Sequence, residues 1–222
     1  MKSASGHAAR LFLVRHGETE GESSIRYHGR NDVALSNLGR AQMNAARKHL
    51  ASLRDASSFA RVFSSPLVRA SEGARIIADK SAPLDIIDEF AEVHFGLFEG
   101  LTADEISERF PDEFARWNID RLAPGYTYPE GESRTAFAER VERGIERMLA
   151  LWAPHESREA RDALVVAHRG VIRGIVRKLA GAQPSVELGS IHILHFDHSN
   201  DAWRVAELDL IEHLASASPH SK

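Results

Sequence analysis

Two short stretches carry the residue types that could do chemistry here: Arg15-His16-Gly17 and His168-Arg169-Gly170. Each follows an apolar run of strand formers, Leu11 to Val14 and Ala163 to Ala167. A buried strand that delivers arginine, histidine and glycine to its C-terminal tip builds an anion site. Arginine offers phosphate a planar fork of donors. Glycine lets backbone N–H groups approach the anion closely. Histidine beside them can carry a proton or act as a nucleophile.

A third cation belongs to the same pattern. Arg61 to Phe63 reads as a strand, followed by Ser64, Ser65 and Pro66. Ser65 suits an N-cap and Pro66 the first helical position, which puts Arg69 in the first turn of a helix. A helix start just past a strand end is a usual place for an anion contact.

These tips need elements to position them. Ser36 is placed to cap a helix over about 37–53, with Leu38, Ala46, Leu50 and Leu53 on its buried side. Leu84 to Ile87 reads as a strand, Thr102 to Glu105 as a capping box, and Pro111 as the start of a helix to about Trp117. Ser133 caps a long helix over 134–152, where Phe137, Val141, Ile145, Met148 and Trp152 recur at helical spacing. A further helix carries Val171, Ile175 and Leu179, and two strands over 190–197 and 202–209 are joined by an HSND turn. Alternating strands and helices predict an α/β fold, a three-layer α/β/α sandwich with a mostly parallel central sheet. In such sheets ligands sit at the carboxyl ends of the strands, where Arg15, His16, Arg69 and His168 all fall.

The chain has 222 residues, 43% hydrophobic and 27% charged, within the range of one domain or one domain with an inserted lid. The expected domain runs over 10–212, with a helical lid at about 100–132 and disordered tails at 1–9 and 213–222. There are no cysteines, which excludes disulfides, a thiol nucleophile and cysteine-based metal sites; this leaves the compartment open but suits a cytoplasmic location. The net charge of -4 argues against a nucleic-acid binder. No apolar run reaches membrane-spanning length, and the first residues read as a tail rather than a signal peptide. His192, His195 and His198 invite a metal reading, but His192 and His195 would face opposite sides of a strand and no carboxylate stands at ligand spacing. No metal and no cofactor are expected.

Taken together the motifs resemble the histidine phosphatase superfamily, in the phosphoglycerate mutase-like branch and of the small phosphatase type exemplified by alpha-ribazole phosphatases. The matching stretches are LVRHGET, ALSNLGRAQ, FSSPLVRA around Arg69, AEVHFGLFEG around Glu92, GES at 131–133 and VVAHRG around His168. They occur in the family's order over nearly the whole chain from Leu11 to about His195. The resemblance implies that His16 forms a phosphohistidine and that Arg15, Arg69 and His168 bind the phosphoryl oxygens. It implies that Glu92 protonates the leaving oxygen and then activates water. Glu89 and Glu99 lie close by, and only the spacing to Phe95-Gly96 selects Glu92. The second ring nitrogen of His16 needs a fixed partner, such as a backbone carbonyl, to set its tautomer.

Some positions depart from the family pattern. Arg26 matches a substrate-contacting arginine in the loop that also holds Gly29, but Glu22 stands where the mutases carry an asparagine. A carboxylate there would repel phosphate unless a cation such as Arg26 pairs with it. Arg169 replaces a glycine often found after the second histidine. The implied activity is release of phosphate from a small-molecule phosphate ester; the alternatives are a cofactor-dependent mutase and a non-catalytic phospho-ligand-binding module. Intact Arg15, His16, Arg69, Glu92 and His168 speak against the last. Val93-His94-Phe95-Gly96 after Glu92 follows the phosphatases, while Arg109, Arg116 and Arg121 in the lid keep the mutase reading open. A homodimer is compatible with the sequence.

Overall fold

A computed structural model describes residues 9–54, 59–78, 83–153 and 162–217. The expected tails fall largely outside the described residues. At their inner edges the chain is ordered further than expected. Ala9 is buried and its carbonyl accepts the Phe196 N–H at 2.8 Å. A 3-10 turn over Glu212–Ala217 returns to the body, where His213 Nε2 lies 3.0 Å from the Gly189 carbonyl.

The elements are β1 (Arg10–Arg15), α1 (Asn37–Ser52), β2 (Arg61–Ser64), α2 (Val68–Ile77), β3 (Leu84–Ile86), α3 (Ala103–Arg109), α4 (Pro111–Asp120), α5 (Arg134–Trp152), β4 (Ala163–Ala167), α6 (Arg169–Ala180), β5 (Ile191–Asp197) and β6 (Ala202–Leu210). The six strands form one mixed sheet in the order β3-β2-β4-β1-β5-β6. The first four in that order run parallel, and β5 and β6 close it antiparallel.

β1 and β4 are apolar on both faces because helices cover both. Leu11 and Leu13 pack with Val141, Ile145 and Met148 of α5 and with Val171 and Ile175 of α6. Phe12 and Val14 pack with Met43 and Ala46 of α1 and with Ala70 and Ala74 of α2. That alternation makes three layers and confirms the expected α/β class. The buried face of α1 is Gly39, Met43, Ala46 and Leu50; Leu38 and Leu53, expected inside, are each 38% exposed. At 3.6 residues per turn Leu38 lies about 100° off the stripe that meets the sheet, whereas Leu53 is on its phase but is the C-cap residue, past the end of the helix.

Register explains the convergence at the sheet edge. Arg15 pairs with Ala167, and Ser64 with Val166, so three adjacent parallel strands end level. The residues that follow, His16, Ser65 and His168, therefore meet above the middle of the sheet. Residues 100–132 fold as α3 and α4 around an aromatic cluster of Phe98, Trp117 and Tyr126, joined by Tyr27 and Phe95.

Candidate active site

His16 is buried directly after β1. Its Nδ1 lies 2.7 Å from the Gly17 carbonyl, which can only accept, so Nδ1 carries the proton and Nε2 keeps its lone pair. Burial, reinforced by Arg69 and Arg15, holds the ring well below the ordinary imidazole range. His16 is thus a neutral imidazole with one nitrogen pinned and the other facing a cavity of about 220 Å³. The backbone carbonyl anticipated for the tautomer is in place.

Three other side chains crowd this cavity with unspent donors. Arg69 is buried, and its Nη1 and Nη2 donate to the Asn31 and Gly29 carbonyls at 2.7 Å each. Its Nε has no partner. Arg15 Nη1 donates to the Val186 carbonyl at 3.0 Å, and its Nε likewise has none. Burial, with Arg169 nearby, lowers Arg15 to about 10, which still leaves it charged at neutral pH. The His168 ring centroid is 5.1 Å from that of His16; Nε2 meets Ser65 Oγ at 2.7 Å and Nδ1 is buried without a partner. Burial first and Arg69 second keep His168 neutral, well below its ordinary range. Buried donors without acceptors are rare in folded chains, and this concentration of them suits an anionic ligand.

The site is held by carbonyls that the loops present. Gly29 sits at φ +46°, and a Cβ there would fall 2.6 Å from the Val93 carbonyl, so only glycine lets its carbonyl reach Arg69. Arg69 lies one residue into α2, which starts at Val68 rather than at Pro66. Ser65 Oγ, expected to cap that helix, accepts the Leu67 N–H at 3.2 Å and turns to His168.

Glu92 closes the cavity opposite. Its Oε1 accepts the Val93 N–H and its Oε2 the Gly170 N–H, each at 3.0 Å. Glu89 instead faces Arg147 at 3.3 Å, and Glu99 accepts the Arg30, Asn31 and Phe95 N–H groups. Of the three carboxylates only Glu92 lines the cavity.

Other expected contacts resolve differently. Arg26 reaches the cavity wall, but its guanidinium is engaged by Glu105 at 2.6 Å, the Gly100 carbonyl at 2.9 Å and Glu22 at 3.4 Å. Glu22 stands outside the lining with its side chain 63% exposed, its charge met by Arg26. Arg109, Arg116 and Arg121 are exposed and line no cavity described here; Arg121 lies over the Trp117 ring at 4.9 Å. His28, which sequence reasoning left in a loop, lines the cavity with Nε2 on the Gly21 carbonyl and Nδ1 unpartnered. Nothing in its spacing marks it out. His192 is buried against Ser190 and the Asp209 N–H, and among the described residues no group of three or more His, Cys, Asp or Glu is arranged to hold a metal. Among them, too, no helix is long and apolar enough to cross a membrane.

Residues 11–209 match the family described as the histidine phosphatase superfamily (branch 1). The bifunctional protein Rv2228c of Mycobacterium tuberculosis is 36% identical over 87% of this chain, which spans about half (49%) of that relative's length. The adenosylcobalamin/alpha-ribazole phosphatase of Salmonella typhimurium is 29% identical over 93% of both chains. The crystal structure of the alpha-ribazole phosphatase from Shigella flexneri superposes with a TM-score of 0.75 at 27% identity, covering 90% of this chain and 96% of that one.

Proposed function

The chain belongs to the histidine phosphatase superfamily, and on that premise we propose that it is a metal-independent phosphomonoesterase acting on a small phosphorylated metabolite. The observation that carries the reading is the set of buried, unpartnered donors, Arg15 Nε, Arg69 Nε and His168 Nδ1, around the open face of His16.

A phosphate monoester dianion repels nucleophiles, so catalysis is mainly positioning and charge stabilisation. The three donors take the phosphoryl oxygens. His16 Nε2 forms a bond to phosphorus while the ester P–O bond breaks, and Glu92, protonated at that stage, gives its proton to the leaving oxygen. Glu92, now a carboxylate, takes a proton from water, whose oxygen attacks phosphorus. The P–N bond breaks and phosphate leaves. The two backbone N–H groups on Glu92 fix both oxygens for these transfers. A neutral His16 needs no separate base. We assign Arg26 and Gly29 to shaping the loop beside the phosphate, and residues 100–132 to a lid. The reading extends to a cytoplasmic enzyme, which the cysteine-free composition suits.

The test is phosphate release from an aryl phosphate without added metal, lost in His16→Ala. Incubation with 3-phosphoglycerate and a trace of the bisphosphate separates the alternative: free phosphate supports the phosphatase, 2-phosphoglycerate a mutase.

A further inference from the structure

Beside the phosphate-sized cavity lies a larger one of about 740 Å³, between α5 and α6, that shares Glu92, Phe95 and Arg169 with it. That volume matches sites that enclose a whole organic molecule and far exceeds what a phosphate needs. Tyr128, Phe137 and Val141 give it an apolar, partly aromatic surface. Its charge is one-sided: five basic side chains face two carboxylates, Glu92 and Glu142.

Two of those cations are already paired, Lys178 with Glu142 at 3.2 Å and Arg169 with Glu187 at 3.3 Å. Among the described residues Arg134, Arg173 and Arg177 have no such carboxylate partner. Arg173 donates to the Pro184 and Ser185 carbonyls at 3.0 and 2.9 Å, which fixes its charge on the wall. Positions 169, 173 and 177 repeat every four residues, so they share one face of α6. At 1.5 Å per residue, Arg177 lies about 12 Å along the helix from Arg169.

The position of Glu92 sets the direction of the substrate. The group that protonates the leaving oxygen must face the leaving group, and Glu92 lines both cavities. We propose that the larger cavity holds the alcohol portion of the ester, and that the substrate is a monophosphate of a mid-sized, ring-bearing body with a second anionic group far from the phosphate. Arg177, supported by Arg173, receives that second anion. The aromatic lining takes the ring. A merely solvated basic face would have neither the concavity nor the apolar surface.

This inference rests on the phosphatase reading, and the test keeps the two apart. The probes are 4′-carboxybiphenyl-4-yl phosphate and its methyl ester, which differ in the remote charge and little in leaving-group acidity. The expected result is a kcat/KM about tenfold higher for the carboxylate, the scale of one partly solvated charge-assisted contact. That ratio falls toward one in Arg177→Gln and, independently, in Arg173→Gln, and it shrinks as salt is raised. Equal kcat/KM for the two esters in the unmodified protein, or a ratio that both variants leave intact, overturns the second-anion subsite while phosphatase activity stands. If 4-nitrophenyl phosphate is turned over and neither biphenyl ester is, the assignment of the larger cavity to the alcohol portion is overturned; failure on all three overturns the phosphatase reading.

Discussion

Ser65 Oγ lies 2.7 Å from His168 Nε2 and ties the tip of β2 to the tip of β4. Because the same oxygen accepts the Leu67 N–H, its own proton is free to go to Nε2. His168 then carries its proton on Nδ1, the buried nitrogen that has no partner. A serine two residues past Phe63 thereby sets a tautomer on another strand, so that His168 presents a donor to the phosphoryl group. Ser65→Ala should lower kcat by about tenfold, the scale of one buried hydrogen bond, while Ser65→Thr retains most of the rate. Steady-state kinetics of the two variants decide it; equal losses in both would mean the hydroxyl acts only through packing.

Glu92→Gln should slow turnover in proportion to how poor the leaving group is. The loss is about a hundredfold or more for an alkyl phosphate and much smaller for 4-nitrophenyl phosphate, whose leaving oxygen needs no proton. A plot of log kcat against leaving-group acidity for both proteins checks this. A parallel shift of the two lines would remove Glu92 from the role of acid.

Gly170→Ala reaches the same carboxylate by sterics alone. A Cβ at that position would stand 2.5 Å from Glu92 Oε1 and 2.9 Å from Phe137 Cζ. Glu92 is the flexible partner and must move off its two backbone donors. The expected effect is the leaving-group dependence of Glu92→Gln, at a stability cost of about 1–3 kcal/mol. Denaturant unfolding alongside the kinetics separates the two effects.

Much of the site was legible because its residues are tied to strand ends. Arg15, His16 and His168 follow fully apolar runs, and the level endings of β1, β2 and β4 follow from parallel register. Contacts that depend on loop trajectory were not legible. Arg26 reads as a substrate contact in sequence, yet Glu105, 79 residues on in the capping box of α3, engages it. Arg109, Arg116 and Arg121 read as possible substrate ligands in sequence, while four of the five cations that line the larger cavity sit on α6, whose spacing reads equally well as an ordinary solvated face. Leu38 and Leu53 read as part of the apolar side of α1, but helix phase puts Gly39 and Met43 against the sheet in place of Leu38, and the helix ends before Leu53.

Buried neutral histidines predict how stability depends on pH. His16, His168 and His192 all lie below the ordinary value of 6.5, His192 at about 4, with burial as the leading cause. For such a ring the unfolded chain binds the proton more readily. Stability is therefore complete above pH 6.5 and falls as the pH drops toward the folded values. Over the window from 6.5 to about 4, His192 alone accounts for roughly 3 kcal/mol. Urea midpoints measured across that range should fall with pH, and His192→Asn should flatten the slope; an unchanged slope in the variant would contradict the assignment.

The most direct measurement is the position of the phosphoryl group on trapped enzyme. Brief reaction with substrate, quenching in alkali and phosphorus–proton correlation NMR on the peptide spanning residues 10–26 distinguish the two ring nitrogens of His16. With Nδ1 held by the Gly17 carbonyl, phosphorus should be bonded to Nε2 of His16. Phosphorus on Nδ1, or on any other side chain, would contradict the account.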